Sequence, residues 1–292
     1  MKQTMLLLVF FLLPLAVNPA PRQEFRQYWY QGKAELTRYS LEQARYGEIH
    51  KGDAVLIFVT EPFLPDKQVK LESGKSPSAV SVLKLNLTKK FFTGIYPYSL
   101  MTSVFSPVDF QKHRTLKVTS STQEWCGQTY SQLNFRHNGY KALIHSYFQD
   151  EADQNLTLKG AWLEDEIWTR IRVAPETLPV GNLEMVPALQ YVRLGHVDLK
   201  VEPVTAQTKR EGKTQVYTVQ YKNLKRSLII RFNAAFPHTI QSWEEKSPGG
   251  FKPDAPILTT RAVKTHSIML DYWNKNGVSD APLRQKLGLT QN

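Results

Sequence analysis

Residues 128–148 read QTYSQLNFRHNGYKALIHSYF, and this stretch decides the fold class. Asn138-Gly139 separates two runs rich in aromatic and aliphatic residues, each as long as an ordinary β-strand. An Asn-Gly pair between two such runs is the strongest short-range signal for a β-hairpin. The stretch therefore predicts two antiparallel strands joined by a tight turn.

Strand patterns continue on both sides of this hairpin. VLIFV at 55–59 is an unbroken β-branched and aromatic run, which is typical of a strand covered on both faces. Alternation of apolar with polar residues, which marks a half-buried strand, recurs at Leu83, Leu85 and Leu87 and at Tyr217, Val219 and Tyr221. Further hairpins are predicted at Glu211-Gly212 and around Asn223 to Lys225.

Helical patterns are few and short. Leu163, Ile167, Trp168 and Ile171 recur at helical spacing, and Pro175 ends that segment. Near the end of the chain, one short helix is predicted through Ile268, Met269, Tyr272 and Trp273, and another in DAPLRQKLG at 280–288. The predicted fold is mainly β, with curved antiparallel sheets, half-barrel or sandwich-like, and a few short covering helices.

The chain divides into three predicted parts. Residues 1–20 form a signal peptide, because Lys2 precedes the apolar run MLLLVFFLLPLAV, which is too short to span a bilayer. Residues 21–158 form an N-terminal β-rich half. Residues 159–292 hold the helical segment, a β-meander and the short C-terminal helices, and the pattern leaves open whether the two halves are one domain or two.

Export determines the expected location and partners. We expect a periplasmic or secreted protein. It is not a lipoprotein, since no cysteine follows the apolar run, and we expect no later transmembrane helix. The 37 Lys and Arg residues against 26 Asp and Glu give a net charge of +11, which favours contact with anionic surfaces. Export argues against nucleic acid as the partner.

Cys126 is the only cysteine and lies in WCGQTY. A thioredoxin-type cycle is excluded because position 129 is Thr where a second cysteine is required. A cysteine-dependent hydrolase is the alternative, with Cys126 as nucleophile, His266 as base at papain-like spacing, and Asn276 after it. The main interpretation is a buried structural cysteine on a packed strand.

Other motifs that carry chemistry are missing from the sequence. The seven histidines never form a pair at i, i+2 or i, i+4, and no P-loop, nucleophile elbow or dinucleotide fingerprint occurs. We therefore expect no metal site and no cofactor. The stretch DEAD at 150–153 lacks calcium-loop spacing and is predicted to be a solvated turn.

Four segments resemble a group of uncharacterised bacterial envelope proteins that are commonly labelled "septum formation inhibitor Maf". They are YWYQGKAEL, ARYGEIHKGDAVLIFVTE, SVLKLNLTKKFFTGIYPYS and STQEWCGQTYSQLN, and the likeness extends over about 26–276. The resemblance implies an envelope protein and, by its label alone, a septum formation inhibitor. Genuine Maf pyrophosphatases carry Ser-Pro-Arg-Arg, whereas Ser78, Val108 and Gly249 follow the Ser-Pro pairs here, so that activity does not transfer.

The second half, with SLIIRFNAAFPHTIQSWEE at 227–245, is similar to periplasmic half-barrels of the lipoprotein-carrier type. That resemblance implies a concave apolar sheet face that binds an acyl chain or another amphiphile. The leading hypothesis is an exported, non-catalytic envelope protein that binds an amphiphile or another envelope component on this face. The candidate lining residues, for which plain core packing is the alternative, are Tyr217, Val219, Tyr221, Ile230, Phe232 and Trp243.

Overall fold

The computed structural model describes residues 23–252 and 254–289. Strands make up 55% of the protein and helices 14%, which confirms the mainly β prediction. The predicted signal peptide at 1–20 lies outside the described residues. Within them, no helix combines the length and the apolar character needed to cross a membrane.

Sixteen strands and four α-helices form the described structure. The strands are β1 (Ala34–Arg45), β2 (Glu48–Leu64), β3 (Val69–Lys70), β4 (Val80–Thr93), β5 (Tyr96–Pro107), β6 (Lys117–Glu124), β7 (Gly127–Arg136), β8 (Gly139–Ser146), β9 (Gln154–Lys159), β10 (Trp162–Leu163), β11 (Gly181–Val186), β12 (Glu202–Glu211), β13 (Thr214–Tyr221), β14 (Arg226–Asn233), β15 (Ile240–Pro248) and β16 (Ile257–Leu270). The α-helices are α1 (Gln23–Trp29), α2 (Glu164–Val173), α3 (Leu189–Gly195) and α4 (Pro282–Lys286). Short 3-10 turns lie at Pro175–Thr177, Tyr272–Asn274 and Val278–Asp280.

All sixteen strands belong to one sheet, in the order β10-β11-β12-β13-β14-β15-β16-β1-β2-β4-β5-β6-β7-β8-β9, with β3 beside β2. Neighbouring strands are antiparallel except β10 and β11, which are parallel. The last long strand, β16, pairs with β1, for example at Leu36 and Ile268. Strands from both predicted halves of the chain are therefore continuous in one sheet.

The predicted hairpins are present. Arg136 pairs with Gly139, so the β7–β8 turn consists of His137 and Asn138, with φ angles of 46° and 66°. Two consecutive left-handed residues match the twist of the flanking strands in a two-residue turn. The hairpins predicted near Gly212 and at Asn223–Lys225 correspond to β12–β13 and β13–β14.

The strand directions define two ends of the sheet, which we call the upper and lower ends. The upper end carries the connections 46–47, 94–95, 125–126, 147–153 and 222–225, and the described parts, 249–252 and 254–256, of the loop after β15. The lower end carries the connections 65–79, 137–138, 212–213 and 234–239. Helix α3 follows β11 at the upper end, whereas α1 leads into β1 at the lower end.

The sheet curls tightly around α2. Lys89 on β4 and Glu245 on β15 are separated by three strands, yet Lys89 Nζ lies 2.8 Å from Glu245 Oε1. Every residue of α2 from 164 to 172 is buried, and Trp168 packs edge-on against Trp243 of β15 with 5.1 Å between ring centres. The helix predicted around 162–173 is therefore confirmed, and it fills the concave side of the sheet.

Three further helices cover the ends and the outer face. Helix α1 buries Phe25 and Trp29 at the lower end, and neither α1 nor α3 was predicted. Leu287, at the end of α4, packs with Val55 and Val59 on the outer face of β2, so the 55–59 run is covered on both faces, as predicted. The helix predicted from Ile268 is wrong: β16 continues to Leu270 because its residues pair with β1 there.

Candidate binding site at the upper end of the sheet

The six predicted ligand-lining residues form part of the core. Their side chains lie inside the curl around α2, and each is exposed by at most 1%: Tyr217, Val219, Tyr221, Ile230, Phe232 and Trp243. Because α2 occupies the concave side, this part of the sheet has no open apolar face for a ligand.

At the lower end of α2, buried charge is fully paired. Arg172 donates to both carboxylate oxygens of Glu35 at 2.6 and 2.7 Å, and its Nε donates to the carbonyl of Pro237 at 2.8 Å. Tyr28 also donates to Glu35. Burial alone would raise the pKa of Glu35, but the charge and hydrogen bonds of Arg172 outweigh burial and lower this pKa.

At the upper end of α2, a longer chain of charges surrounds the first turn. Arg226 of β14 donates to both carboxylate oxygens of Glu164, at 2.5 and 2.6 Å. Arg226 also lies 3.4 Å from Glu245, which is paired with Lys89. Burial opposes ionisation of Glu245, but the charges of Lys89 and Arg226 outweigh it and lower its pKa to about 2.

Asp165 lies beside this network and forms no ion pair with a described residue. It is 6% exposed, and its Oδ2 accepts a hydrogen bond of 3.0 Å from the backbone N–H of Leu189 in α3. Burial raises the pKa of Asp165 to about 7, because the Leu189 bond offsets only part of the lost hydration. Asp165 thus joins α2 to α3 through one hydrogen bond.

A cavity of about 810 Å³ opens at the upper end, between α3 and the surrounding strand ends and loops. A volume of this size is in the range of pockets that hold a small organic molecule. Its apolar lining includes Ile144, Phe148, Val197, Leu199, Leu224 and Phe251. Its polar lining includes Gln43, Arg45, Lys89, Gln190, Arg193, His196 and Glu245.

The inner face of β1 changes from apolar to charged as the strand approaches this cavity. Tyr39 and Leu41 lie in the core, and Gln43 and Arg45 follow at the same alternate positions and line the cavity. Gln43 donates through Nε2 to Thr260 at 3.0 Å, while its Oε1 has no partner among the described residues. The cavity therefore has a polar rim above the apolar core.

Arg45 is held by α3 and by aromatic rings. It donates to the carbonyl of Leu194 and, at 3.3 Å each, to the hydroxyls of Tyr46 and Tyr98. Its guanidinium carbon lies 4.3 Å from the Tyr46 ring centre and 5.2 Å from that of Phe251. Arg45 is only 5% exposed, and its Nε has no partner among the described residues.

Arg193, on α3, lies beside the Glu124 carboxylate and reaches the Glu151 carboxylate through His196. Its NH2 lies 3.4 Å from Glu124, and its NH1 donates to His196 Nε2 at 3.0 Å. His196 Nδ1 lies 2.6 Å from Glu151 and therefore carries the proton of that hydrogen bond. Burial and then the Arg193 charge lower the pKa of His196, so the ring is neutral at neutral pH with both nitrogens engaged.

The prediction that Cys126 is buried in a packed strand is wrong. Cys126 is exposed and forms, with Trp125, the two-residue turn between Glu124 and Gly127. Its backbone N–H donates to Glu124 Oε2 at 2.7 Å. Hydrogen bonding to Glu124 and then the Glu124 charge raise the pKa of the thiol, whereas an activated nucleophile requires a lowered one.

The residues of the hydrolase alternative are not assembled into a site. His266 lies on β16 opposite Arg38, and Cys126 follows β6 at the upper end. Five strand spacings separate β16 from β6, about 24 Å along the sheet at about 4.8 Å per strand. Asn276 lies beyond β16, where its side chain donates to the carbonyl of Trp273.

Sequence reasoning missed the polar residues of the cavity. Arg193 lies on a helix that was not predicted, His196 directly follows that helix, and their carboxylate partners are distant in sequence. Arg45 had a usable signal, because it continues the inward positions of Tyr39 and Leu41 and so places a cation on a buried face. The stretch at 150–153 is a turn, as predicted, but Glu151 within it holds His196.

Two solved structures resemble this chain distantly. The chain matches no protein-family model and no curated protein. A crystal structure of a β-barrel-like protein of domain of unknown function DUF1849 from Brucella abortus has a TM-score of 0.48 at 9% identity, covering 81% of this chain and 98% of that chain. Immune modulator A of Aeromonas veronii has a TM-score of 0.19 at 8% identity, covering 80% of this chain and 94% of that one. Neither likeness bears on function.

Across the described ranges 23–252 and 254–289, no three His, Cys, Asp or Glu side chains group in a way that could hold a metal ion. Its cavity, its buried arginines and its apolar lining define the candidate site.

Proposed function

We propose that this protein is an exported, non-catalytic envelope protein that binds a small amphiphile in the cavity at the upper end of its curled sheet. The observation that carries the proposal is the cavity itself, about 810 Å³ in volume, with apolar and charged side chains on the same wall. This differs from binding on the concave sheet face, since α2 fills that face.

The lining suits a molecule with an apolar chain and a polar head. Ile144, Val197 and Leu224 offer apolar contact, and Arg45 and Gln43 offer polar contact at the rim. Burial of a chain against such residues yields about 0.8 kcal/mol per methylene group. Contact with the polar groups at the rim then sets the orientation of the ligand.

Binding, not catalysis, is supported by the state of the reactive groups. The Cys126 thiol has a raised pKa, and His196 uses both ring nitrogens within the Arg193–Glu151 chain. Neither group is poised to attack or to accept a proton from a bound molecule. Export and envelope location are part of the proposal through the apolar run at 5–17 and the sequence resemblance.

The test is binding of N-phenyl-1-naphthylamine, a neutral fluorophore that brightens in apolar sites, and its displacement by decanol. We expect saturable binding to the wild-type protein. Ser131→Phe places a ring into the cavity from β7 and should weaken binding roughly tenfold or more by occupying the space.

The matched control is Ser121→Phe. Ser121 is absent from the cavity lining and pairs on β6 with Tyr130, whose side chain is 40% exposed on the outer face. This variant should bind the fluorophore like the wild type. Absence of binding to the wild-type protein, or equal effects of the two substitutions, would overturn the proposal.

A further inference from the structure

We propose that the cavity recognises an anionic head group, a carboxylate or a phosphate, through Arg45. This inference rests on the proposed function, because it names the chemical class of the amphiphile that the cavity takes. The observation that supports it is that Arg45, unlike the other buried arginines, has no described carboxylate within 4.0 Å.

Five arginines are buried in the described chain: Arg45, Arg170, Arg172, Arg193 and Arg226. Four of them have a carboxylate oxygen within 4.0 Å, in Glu166, Glu35, Glu124 and Glu164 respectively. No described carboxylate lies that close to Arg45, although it is just 5% exposed. A guanidinium stays charged at any pH of interest, so Arg45 carries an uncompensated positive charge at the cavity wall.

Among the described residues, the polar groups that contact Arg45 are a carbonyl and two hydroxyls, and none of them is a carboxylate. The Leu194 carbonyl and the hydroxyls of Tyr46 and Tyr98 accept hydrogen bonds from its two terminal nitrogens. The rings of Tyr46 and Phe251 attract the cation through their faces. These contacts fix the plane of the guanidinium and leave the charge without a counter-ion.

One donor of Arg45 remains open. Its Nε has no partner among the described residues, and Arg193, which lines the same cavity, also has an unpartnered Nε. Unpartnered Nε atoms also occur at Arg170 and Arg226, which are paired with carboxylates, so the distinguishing feature of Arg45 is its position on the cavity wall without a described carboxylate within 4.0 Å. A carboxylate or phosphate would supply both the acceptor and the negative charge.

The position of Arg45 also fits an amphiphile instead of a free ion. Apolar residues line the cavity beyond the rim, among them Ile144, Val197 and Leu224, and a bare ion would leave them uncovered. A head group on Arg45 lets an attached chain run along them. The carboxylate and the phosphate share the chemistry that the site recognises, and the experiment separates them.

The experiment is displacement of N-phenyl-1-naphthylamine by decanoate, decyl phosphate and decanol, which share a ten-carbon chain. We expect the wild-type protein to bind decanoate, decyl phosphate or both at least about tenfold more tightly than decanol, as a charge-assisted hydrogen bond to a buried arginine allows. The ranking of the two anions tells which head group the site prefers.

Arg45→Gln should abolish this preference and leave decanol binding unchanged, because the substitution removes the charge and keeps the apolar lining. Arg45→Lys should give an intermediate preference and serves as the variant to measure should the glutamine variant fail to fold. Arg210→Gln is the matched control, since Arg210 is exposed on β12 and absent from the cavity lining, and this variant should keep the full preference. Equal binding of the anions and decanol, or an anion preference that survives Arg45→Gln, would overturn the inference.

The outcomes separate this inference from the proposed function. Binding of decanol without an anion preference supports the amphiphile cavity and overturns the anion site. With no alkyl probe bound, the proposed function fails, and thermal stabilisation by inorganic phosphate decides the anion site. A phosphate-dependent rise in melting temperature that Arg45→Gln removes would support it, and no rise would overturn it.

Discussion

At the lower end of the curled sheet, Arg172 donates hydrogen bonds through all three guanidinium nitrogens, to the Glu35 carboxylate and to the Pro237 carbonyl. At the upper end, Arg45 and Arg193 each leave Nε unpaired beside a cavity. Both regions bury positive charge. The difference is that the cation of the closed lower end has a carboxylate beside it, whereas Arg45 at the upper end faces a cavity and has no described carboxylate within 4.0 Å.

The helices that close the two ends explain this difference. At the lower end, the ring centre of Trp29 on α1 lies 5.0 Å from the guanidinium carbon of Arg172, and Tyr28 donates a hydrogen bond to Glu35. Side chains of α1 therefore cover the ion pair. At the upper end, α3 is anchored by the bond from Leu189 to Asp165 and does not fill the space above α2. The sheet is therefore filled by side chains at its lower end and contains a cavity at its upper end.

The largest expected effect is a difference in unfolding free energy between variants of Arg172 and Arg45. Arg172→Met leaves Glu35 buried without its cation and should cost about 3–5 kcal/mol of unfolding free energy. Arg45→Met removes a charge that has no carboxylate partner and should cost at most about 1 kcal/mol. Urea unfolding of both variants measures the contrast.

A control for the first prediction is the double variant Glu35→Met, Arg172→Met. It should recover most of the loss, because removal of both charges leaves no uncompensated ion in the core. Similar losses of unfolding free energy for Arg172→Met and Arg45→Met would contradict the difference in charge pairing between the two ends.

The second expected effect concerns pH and sharpens the description of the upper end. The folded pKa of Asp165 is about 7, above the value of about 3.9 in an unfolded chain. Below pH 4 the carboxyl is protonated in both states and its contribution to stability is fully present. As pH rises towards 7 the unfolded chain releases the proton first, so stability falls by up to about 1.4 kcal/mol per pH unit and then levels off.

Asp165→Asn should remove this loss and keep a side-chain oxygen for the N–H of Leu189. Its advantage over the wild type should grow from pH 4 to 7 and then remain constant. Urea unfolding at intervals across pH 4–8 measures the difference, in which the contributions of the other carboxylates cancel. Parallel stability curves would contradict the raised pKa of Asp165.

The smallest expected effect concerns Cys126 at the rim of the upper end. Cys126→Ser should cause no measurable loss of stability, because the thiol is exposed in a turn. Iodoacetamide should label the folded protein slowly at pH 7 and faster above pH 9, since Glu124 raises the thiol pKa. Glu124→Gln should speed labelling at pH 7–8, and labelling only after unfolding would contradict the exposed turn.

Local pattern predicted those elements that local interactions determine. The β7–β8 hairpin needed only the turn chemistry around Asn138, and α2 needed only apolar spacing and its closing Pro175. The error at Ile268 has the opposite cause. Its apolar residues fit a helix, but pairing with β1 at the other end of the chain extends the strand.

The candidate site was beyond local pattern because its parts are distant in sequence. Arg45 comes from β1, Arg193 from α3 and His196 from the residue after it, while Glu124 ends β6 and Glu151 lies in the turn between β8 and β9. No spacing rule relates these positions. They meet because the sheet curls and α3 crosses its upper end.

By itself, the sequence determined that this chain forms antiparallel strands with short helices, because alternation and turn residues act between near neighbours. The tertiary structure decided where charge and space remain. Pairing of β16 with β1 joins the two halves into one sheet, and the curl brings Lys89 to Glu245 around α2. The physical reason is that burial of a charge depends on every element packed around it, and the uncompensated charge of Arg45 exists only once those elements have come together.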